Sequence, residues 1–347
     1  MNIKTITILA GITVPVTLAA VLWPAPGSSV AASTAGGVYL PALKGGFGAV
    51  ASITVTGAAG PVKLVRAKTD GKPAEGWVVA DKYNYPVQAA ILKPVLEGLR
   101  ALHTVAPKTA RPKLYSRLEL DNPGGSAGSH SIVLNDAKGG VIASVVLGRQ
   151  KPAASPGGAE QQYVRTPDTA QTWLAEPAIT LQDGPLSWVD HSILSVDAEQ
   201  VKHVVITQTG GEKLELSRAK AEDKLAVQNV PAGRKLKEED PGITIAGGIS
   251  ALELDDVRPA GSLTNPPAAV AQYETFGGLT ADLTLTKQDG KTWAVVSVTG
   301  ADKAAKDAAD ITARTKGWAY ALSDLRASTL MNSLAGLLEA VPEAKKG

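Results

Sequence analysis

The sequence has no cysteine, only two phenylalanines, and no surplus of charge of either sign. Without cysteine, the chain cannot form a disulfide framework, a thiolate zinc site, a cysteine-held iron–sulfur cluster or a cysteine nucleophile. Lysine and arginine number 35 against 33 aspartates and glutamates, which gives a net charge of +2. This balance argues against a nucleic-acid partner, because phosphate binding needs a basic surplus.

The composition is that of a folded, turn-rich protein. The 347 residues are enough for two modest domains, and 44% of them are hydrophobic. Glycine and proline are frequent, at 35 and 22 residues, while aromatic residues make up 4%. We therefore expect many turns around a core of valine, leucine, isoleucine and alanine.

The amino terminus predicts a membrane-directed segment. No charged residue occurs between Lys4 and Lys44, and residues 6–23 are almost entirely apolar. Lys4 on the amino side predicts a cytoplasmic amino end and an exported body. Two alternatives remain open: a signal peptide cleaved before Ser33, and an uncleaved anchor, which the length of about 18 apolar residues favours.

The organisation that we predict has four parts. Residues 1–25 form the membrane anchor or signal peptide, and residues 26–46, rich in proline, glycine, serine and alanine, form a flexible tether. Residues 47–195 form a first α+β domain with inserted antiparallel strands. Residues 196–347 form a second α+β domain that ends in a helix. The predicted fold class is α+β, with an N-terminal transmembrane helix followed by antiparallel sheets.

The body repeats a hairpin-plus-helix pattern. Apolar positions alternate over residues 53–66 and then recur at three- or four-residue spacing over 87–102, which predicts a hairpin and a helix. Residues 205–219 can be laid over 53–67 without a gap. A third, looser copy runs over 283–296, with one closing helix that carries Leu330, Leu334 and Leu337.

Between the first two units the pattern predicts an antiparallel block. The expected strands are residues 114–120, 131–134, 141–147, 161–165 and 171–174. Residues 301–316, rich in alanine, lysine and aspartate, predict a solvated helix or a mobile insertion.

Motifs for chemistry are weak. Residues 124–128 spell a nucleophile elbow, but no strand-to-helix context surrounds them, so a hydrolase that uses Ser126 or His191 is disfavoured. Adjacent residues such as Asp190 and His191 point to opposite sides of a strand and do not readily pair. The four histidines show no metal-ligand spacing. We expect no enzyme activity, no metal and no cofactor.

Aromatic residues with a nearby arginine suggest a contact surface. Tyr163, Arg165, Trp173 and Trp188 could line a groove, since aromatic side chains and arginine are enriched at protein interfaces. Packing within the sheet is the competing interpretation.

Several short motifs together resemble a known bacterial family. They are the N-terminal apolar segment, Trp77, Tyr85-Pro86, Leu147-Gly148, Tyr163-Val164-Arg165, Trp173-Leu174, Trp188-Val189-Asp190 and Gly317-Trp318-Ala319-Tyr320. In this pattern the chain resembles domain-of-unknown-function family 4340, whose members are described as gliding-motility-associated or transport-auxiliary proteins.

The resemblance implies a single-pass inner-membrane protein whose body lies in the periplasm of a Gram-negative-type envelope. It implies an ABC-2-type permease and its ATPase as partners, and it supplies no catalytic residues. The expected function is therefore that of a non-enzymatic accessory subunit of an ABC-type transport system. The alternative is an exported module that binds envelope glycan or peptidoglycan.

Overall fold

The structure is a computed structural model that describes residues 36–69, 72–124 and 128–340. The predicted membrane segment at residues 6–23 lies outside the described residues, as does Ser126 of the elbow-like motif. Within the described residues, no helix is long and apolar enough to cross a membrane.

The described chain is a mixed α+β structure, mostly of antiparallel sheet with few helices. The strands are β1 Ser52–Gly57, β2 Gly60–Thr69, β3 Lys72–Val79, β4 Tyr85–Pro86, β5 His103–Pro107, β6 His130–Asn135, β7 Val141–Lys151, β8 Gln161–Arg165, β9 Thr172–Glu176, β10 Ser192–Leu194, β11 Val201–Gln208, β12 Lys213–Ser217, β13 Ala226–Val227, β14 Leu252–Glu253, β15 Asp256–Pro259, β16 Ala269–Thr275, β17 Leu279–Gln288, β18 Lys291–Gly300 and β19 Trp318–Leu322. The helices are α1 Ala89–Ala101, α2 Pro241–Ala246, α3 Ala305–Thr315, α4 Asp324–Leu330 and α5 Leu334–Leu337.

The strands form two large sheets with the same path of the chain. The first sheet has the order β4-β3-β2-β1-β6-β7-β8-β9-β5, and the second has β13-β12-β11-β16-β17-β18-β19-β15. Each strand of the second sheet therefore has a counterpart ten places earlier in the first. In both sheets, the strand at the end of the order comes after a helix in the chain. Helix α1 precedes β5, and helix α2 precedes β15. We call residues 36–195 the first half and residues 196–340 the second half.

Two arginines reproduce the correspondence at the level of side chains. Arg66 at the end of the β1–β2 hairpin donates to the carbonyls of Val50 and Phe47. Arg218, just after the β11–β12 hairpin, donates to the carbonyls of Val201 and Ala198. The predicted match of residues 205–219 to 53–67 thus falls on two hairpins in equivalent places with the same arginine contact. It is not free of gaps, because the buried partner of Leu64 is Ile53 whereas that of Leu216 is Val204, which shifts the first strand by one residue.

One hydrophobic core extends through both halves. Alternate residues of the hairpin strands point into it, such as Ile53 and Leu64 in the first half and Val204 and Leu216 in the second. Helix α1 adds Leu92, Val95 and Leu99 at helical spacing. Pro94 lies within this helix on its exposed side and does not end it.

The halves meet through a small sheet and a cluster of rings. Strand β10 pairs with β14, which joins the end of the first half to the second. Tyr85 on β4 packs edge-on against Trp318 at 4.9 Å and Tyr320 at 6.4 Å between ring centroids. Arg314 on α3 donates to the carbonyls of Ser192 and Ile193.

Several predicted elements need correction. The tether does not reach residue 46, because Tyr39, Leu40 and Leu43 are buried in the core. The strand expected at 114–120 is a 3₁₀ segment, Pro112–Leu118, that packs Tyr115 against the outer face of the first sheet. The predicted closing helix is two short helices, α4 and α5, separated by residues 331–333.

The third repeat copy is also placed differently. The hairpin over 283–296 is real, but the strand order makes its strands, β17 and β18, counterparts of β7 and β8 rather than of β2 and β3. Residues 301–316 do contain the expected helix, α3. It lies between β18 and β19, where the first half has only the short connection of residues 166–171.

Candidate functional site

Two of the four predicted contact residues are buried. Arg165 is 4% exposed, and its guanidinium donates to the Leu120 carbonyl and to Asn122 Oδ1, both at 2.7 Å, while lying over the ring of Tyr115. Trp188 is fully buried. Neither side chain is available at a surface. Arg165 instead fixes the loop that leads into β6.

The other two predicted residues lie on opposite faces of the first sheet. Tyr163 pairs with Leu174 across β8 and β9, whereas Trp173 pairs with Val164. Because cross-strand partners share a face and neighbours alternate, Tyr163 packs in the outer cluster with Tyr115, and Trp173 packs against the main core. The structure does not bring these four residues into one surface.

The motifs considered for hydrolysis do not assemble a dyad in the described residues. His191 Nε2 contacts the Leu186 carbonyl at 2.9 Å. Asp190 instead accepts from the Ser192 backbone N–H and faces Arg314. The adjacent Asp190 and His191 therefore have separate partners, as expected for neighbours in an extended segment.

Three histidines lie beside one or two carboxylates. His103 lies 3.2 Å from Glu176 and His130 3.1 Å from Asp183, while His203 lies 3.1 Å from Glu215 and 3.6 Å from Glu274. No group of histidine and carboxylate side chains suited to hold a metal ion occurs among the residues that the structure describes.

A site lined by six charged side chains lies at the junction of the halves. A cavity of about 240 Å³ is lined by Asp81, Lys82, Tyr83, Asp256, Val257, Arg258, Asp289, Lys291 and Trp293. We call it the junction cleft. The first three residues come from the turn between β3 and β4 in the first half, and the others come from β15 and from the β17–β18 hairpin.

Asp256 is the central anion of the junction cleft. Its Oδ1 lies 2.6 Å from Lys82 Nζ, and its Oδ2 lies 3.1 Å from Lys291 Nζ. The backbone N–H of Val257 also donates to Oδ1 at 2.8 Å. Burial acts to raise the pKa of Asp256, but the hydrogen bonds from Lys82, Val257 and Lys291 together outweigh it and lower the pKa. Asp256 is thus a stable carboxylate that joins the two halves.

Arg258 forms the second charged pair in the junction cleft. Its Nη1 donates to Asp289 Oδ2 at 2.9 Å, and its guanidinium lies 4.5 Å from the centre of the Trp293 ring. The hydrogen bond to Asp289, with a smaller contribution from the Tyr83 hydroxyl, raises the pKa of Arg258. The stacked arginine and the tryptophan form a rigid wall for the cleft.

Tyr83 stands at the mouth of the junction cleft in an unusual backbone conformation. Tyr83 and Asn84 both have left-handed φ angles, of 55° and 62°, and the Tyr83 side chain is 53% exposed. A bulky residue in this region is an outlier that costs about 1 kcal/mol or more. Such strain is concentrated at functional sites, so an exposed, strained tyrosine beside charged groups favours a binding role.

A wider groove adjoins the junction cleft on the other side of the β17–β18 turn. It has a volume of about 460 Å³ and shares Asp289 and Lys291 with the cleft. Amide and hydroxyl groups of Asn265, Gln288 and Ser328 line it. The combined surface offers ammonium, guanidinium, carboxylate, amide and hydroxyl groups, which suits binding of a polar ligand.

Sequence reasoning missed this site completely. Its residues come from three segments, 81–83, 256–258 and 289–293, which are brought together only by the packing of one half on the other. Asp289 and Lys291 lie at the turn of the hairpin that the sequence predicted over 283–296, where no site was expected. No local spacing in the sequence would have identified the cleft.

The fold and the cleft define a two-sheet α+β protein with a polar site at the junction of its halves. The family model described as domain of unknown function (DUF4340) matches residues 77–263. This match covers more than half of the chain, so the protein belongs to that family. It runs from β3 to just beyond β15 and includes Lys82, Asp256 and Arg258. No curated protein and no solved structure matches the chain.

Proposed function

We propose that this protein is an accessory subunit of an ABC-type transport system, anchored in the inner membrane by residues 6–23, with its body in the periplasm. It acts by binding rather than by catalysis. Its proposed partners are an ABC-2-type permease and the ATPase of that permease.

The observation that carries the proposal is that residues close to the apolar segment are already bonded to the first sheet. The Gly36 N–H donates to the Thr104 carbonyl at 2.7 Å, and the Tyr39 N–H donates to the Leu102 carbonyl at 2.8 Å. Twelve residues, 24–35, lie in the sequence between the apolar segment and Gly36. Twelve residues span at most about 40 Å. An anchored body would therefore stay close to a permease in the same membrane.

The electrostatics of the junction cleft support a binding role. Asp256 is held as a carboxylate by two lysines, and Arg258 is paired with Asp289. A general acid or base needs a pKa close to the working pH, whereas the pKa of Asp256 is shifted away from neutrality. Fixed charges of this kind are suited to recognising a ligand.

The test is to solubilise tagged full-length protein from its native membranes in mild detergent and to identify co-purifying proteins by mass spectrometry. We expect a permease and an ATPase in stoichiometric amounts. A matched variant, Leu18→Arg, places a charge in the apolar segment and should lose both membrane retention and the partners. Recovery of the wild-type protein alone, in the soluble fraction and starting near Ser33, would contradict the proposal.

A second candidate function is that of an exported module that binds envelope glycan or peptidoglycan. The observation that favours it is the half-exposed Tyr83 ring next to a groove lined by amide and hydroxyl groups. The full-length protein should then be retained on purified cell-wall material, and Tyr83→Ala should weaken retention. Equal retention of both proteins would exclude Tyr83 as the contact, and no retention would exclude this function.

A further inference from the structure

We propose that the junction cleft is a binding site for an oxyanion, a carboxylate or phosphate group that enters between Lys82, Lys291 and Tyr83. The inference goes beyond the transport role, since such a ligand can bind whether or not a permease is the partner. It rests on the balance of charge in the cleft, on the free donors of its lysines and on the placement of Tyr83.

The cleft as a whole is balanced, with three basic and three acidic side chains, but its inner part has one cation without an anion of its own. Asp256 is shared between Lys82 and Lys291, at 2.6 and 3.1 Å, so that two ammonium groups face one carboxylate. Arg258 is neutralised separately by Asp289. Asp81 lies at the exposed rim, where its carboxylate accepts from the Lys63 backbone N–H. The inner part of the cleft therefore favours an additional negative group.

The two lysines also have donors to spare. An ammonium group carries three N–H donors, and the contact to Asp256 uses one on each lysine. The Lys291 side chain is 48% exposed, so it can turn toward a ligand without leaving the site. The Lys82 side chain is only 20% exposed, which means that its charge is poorly screened by water.

Tyr83 completes the site from the first half. Its left-handed backbone sets the half-exposed ring at the mouth of the cleft, within electrostatic reach of Arg258. The ring can cover the non-ionic part of a ligand whose oxyanion contacts the lysines. Because Lys82 and Tyr83 belong to one half and Lys291 to the other, the site is complete only when the halves are packed together.

Calorimetric titration of the full-length protein in detergent tests the proposal, with sodium phosphate and sodium acetate as probes. We expect saturable binding of at least one probe that weakens with added sodium chloride. Lys291→Met should weaken binding about tenfold, because it removes one of the two ammonium groups. Asp256→Asn should strengthen binding about tenfold, because it removes the carboxylate that competes with the ligand. Lys138→Met, on an exposed turn outside the cleft, is the matched control and should change nothing.

The opposite signs of the two variants are the decisive feature. If these charges had only a structural role, Lys291→Met and Asp256→Asn would both weaken binding of the probe. If only the net charge of the protein mattered, Lys138→Met would weaken binding as much as Lys291→Met. Unfolding midpoints measured in parallel show whether Asp256→Asn is folded, and if it is not, Lys291→Met against the control carries the test. Absence of saturable heat for both probes, or equal behaviour of Lys291→Met and Lys138→Met, would overturn the proposal.

The source of the oxyanion is distinguished by a second arm. Vesicles of phosphatidylglycerol present the phosphate in a lipid headgroup, whereas inorganic phosphate presents it free in solution. Vesicle binding that depends on Lys291 would identify a lipid headgroup, and binding of free phosphate alone would identify a soluble ligand. This assay does not depend on co-purification of a permease, so its failure and that of the proposed transport role are distinguishable.

Discussion

Replacing Tyr85 by alanine should lower the free energy of unfolding substantially, because Tyr85 lies at the contact between the halves. Tyr85 lies on the short edge strand β4 of the first sheet, yet it is only 8% exposed. It is buried because its ring packs against Trp318 and Tyr320 on β19 of the second sheet. The substitution would remove the aromatic contact that joins the two sheets.

The magnitude follows from burial and ring geometry. Truncation of a buried aromatic residue to alanine costs about 3–5 kcal/mol. Within that sum, each edge-on aromatic pair accounts for about 0.5–1.5 kcal/mol, and Tyr85 makes two such pairs. We therefore expect about 4 kcal/mol for Tyr85→Ala, within the range for buried aromatic truncations. Tyr85→Phe keeps the ring and loses only the hydroxyl contact with Tyr320, so about 1 kcal/mol is expected.

Urea unfolding of the full-length protein in detergent, followed by tryptophan fluorescence, measures these differences. Tyr83→Ala is the matched control, because Tyr83 is two residues away on the same turn and is 53% exposed. Its cost should be about 1 kcal/mol or less, because the ring is half-exposed and only the hydroxyl contact with Arg258 is lost. If Tyr85→Ala costs no more than Tyr83→Ala, the aromatic cluster does not hold the halves together.

Three further predictions concern charge, close packing and the predicted contact residues. Asp256 has a lowered pKa in the folded protein, so its ion pairs stabilise the fold fully above about pH 4. This stabilisation is lost as the pH falls through the pKa of the folded state. In measurements of the free energy of unfolding against pH, Asp256→Asn should therefore reduce the loss of stability at acid pH. Gly148→Ala would place a Cβ against the carbonyls of Leu118 and Glu119, so it should lower the free energy of unfolding in urea by about 1–3 kcal/mol. Gly210→Ala is the control and should cost about 0.5 kcal/mol or less, because no atom lies near the added Cβ. Arg165→Met should cost about 2–3 kcal/mol in the same assay, because its charged hydrogen bonds are buried, and a cost below 0.5 kcal/mol would show that they contribute little.

The strands were the part of the fold that the sequence predicted well. The predicted strand at 161–165 coincides with β8, and the hairpins at 53–66 and 205–219 are present. Alternation of apolar residues is a local signal that a sheet with one buried face imposes on every strand. The helix predicted over 87–102 is present as α1. The prediction succeeded because the apolar residues recur at the helical period and so form the face that packs into the core.

The elements that were predicted wrongly depend on contacts between residues distant in sequence. The segment at 112–118 carries Leu114, Tyr115 and Leu118, which resemble a strand pattern, but Pro112 begins a 3₁₀ turn and Tyr115 packs onto the outer face of the sheet. Arg165 and Trp188 are residue types common at interfaces, and only their buried surroundings show that they are structural. The junction cleft could not be foreseen for the same reason.

The repeated chain path explains why the cleft lies where it does. Strand β5 ends the first sheet, and its free side is covered by residues 36–39, where Val38 pairs with His103. Its counterpart β15 ends the second sheet, and it has no such covering segment in the described chain. The Val257 N–H donates to the Asp256 carboxylate rather than to a neighbouring strand, and Pro259 offers no N–H.

The unpaired edge of β15 lies next to a turn of the first half, residues 81–83. Lys82 reaches Asp256 from that turn, and Tyr83 takes up its left-handed conformation beside Arg258. A short edge strand that carries charge and proline does not favour pairing with another strand. The edge is therefore suited to side-chain recognition, and the charged cleft occurs at one of the points where the two halves differ.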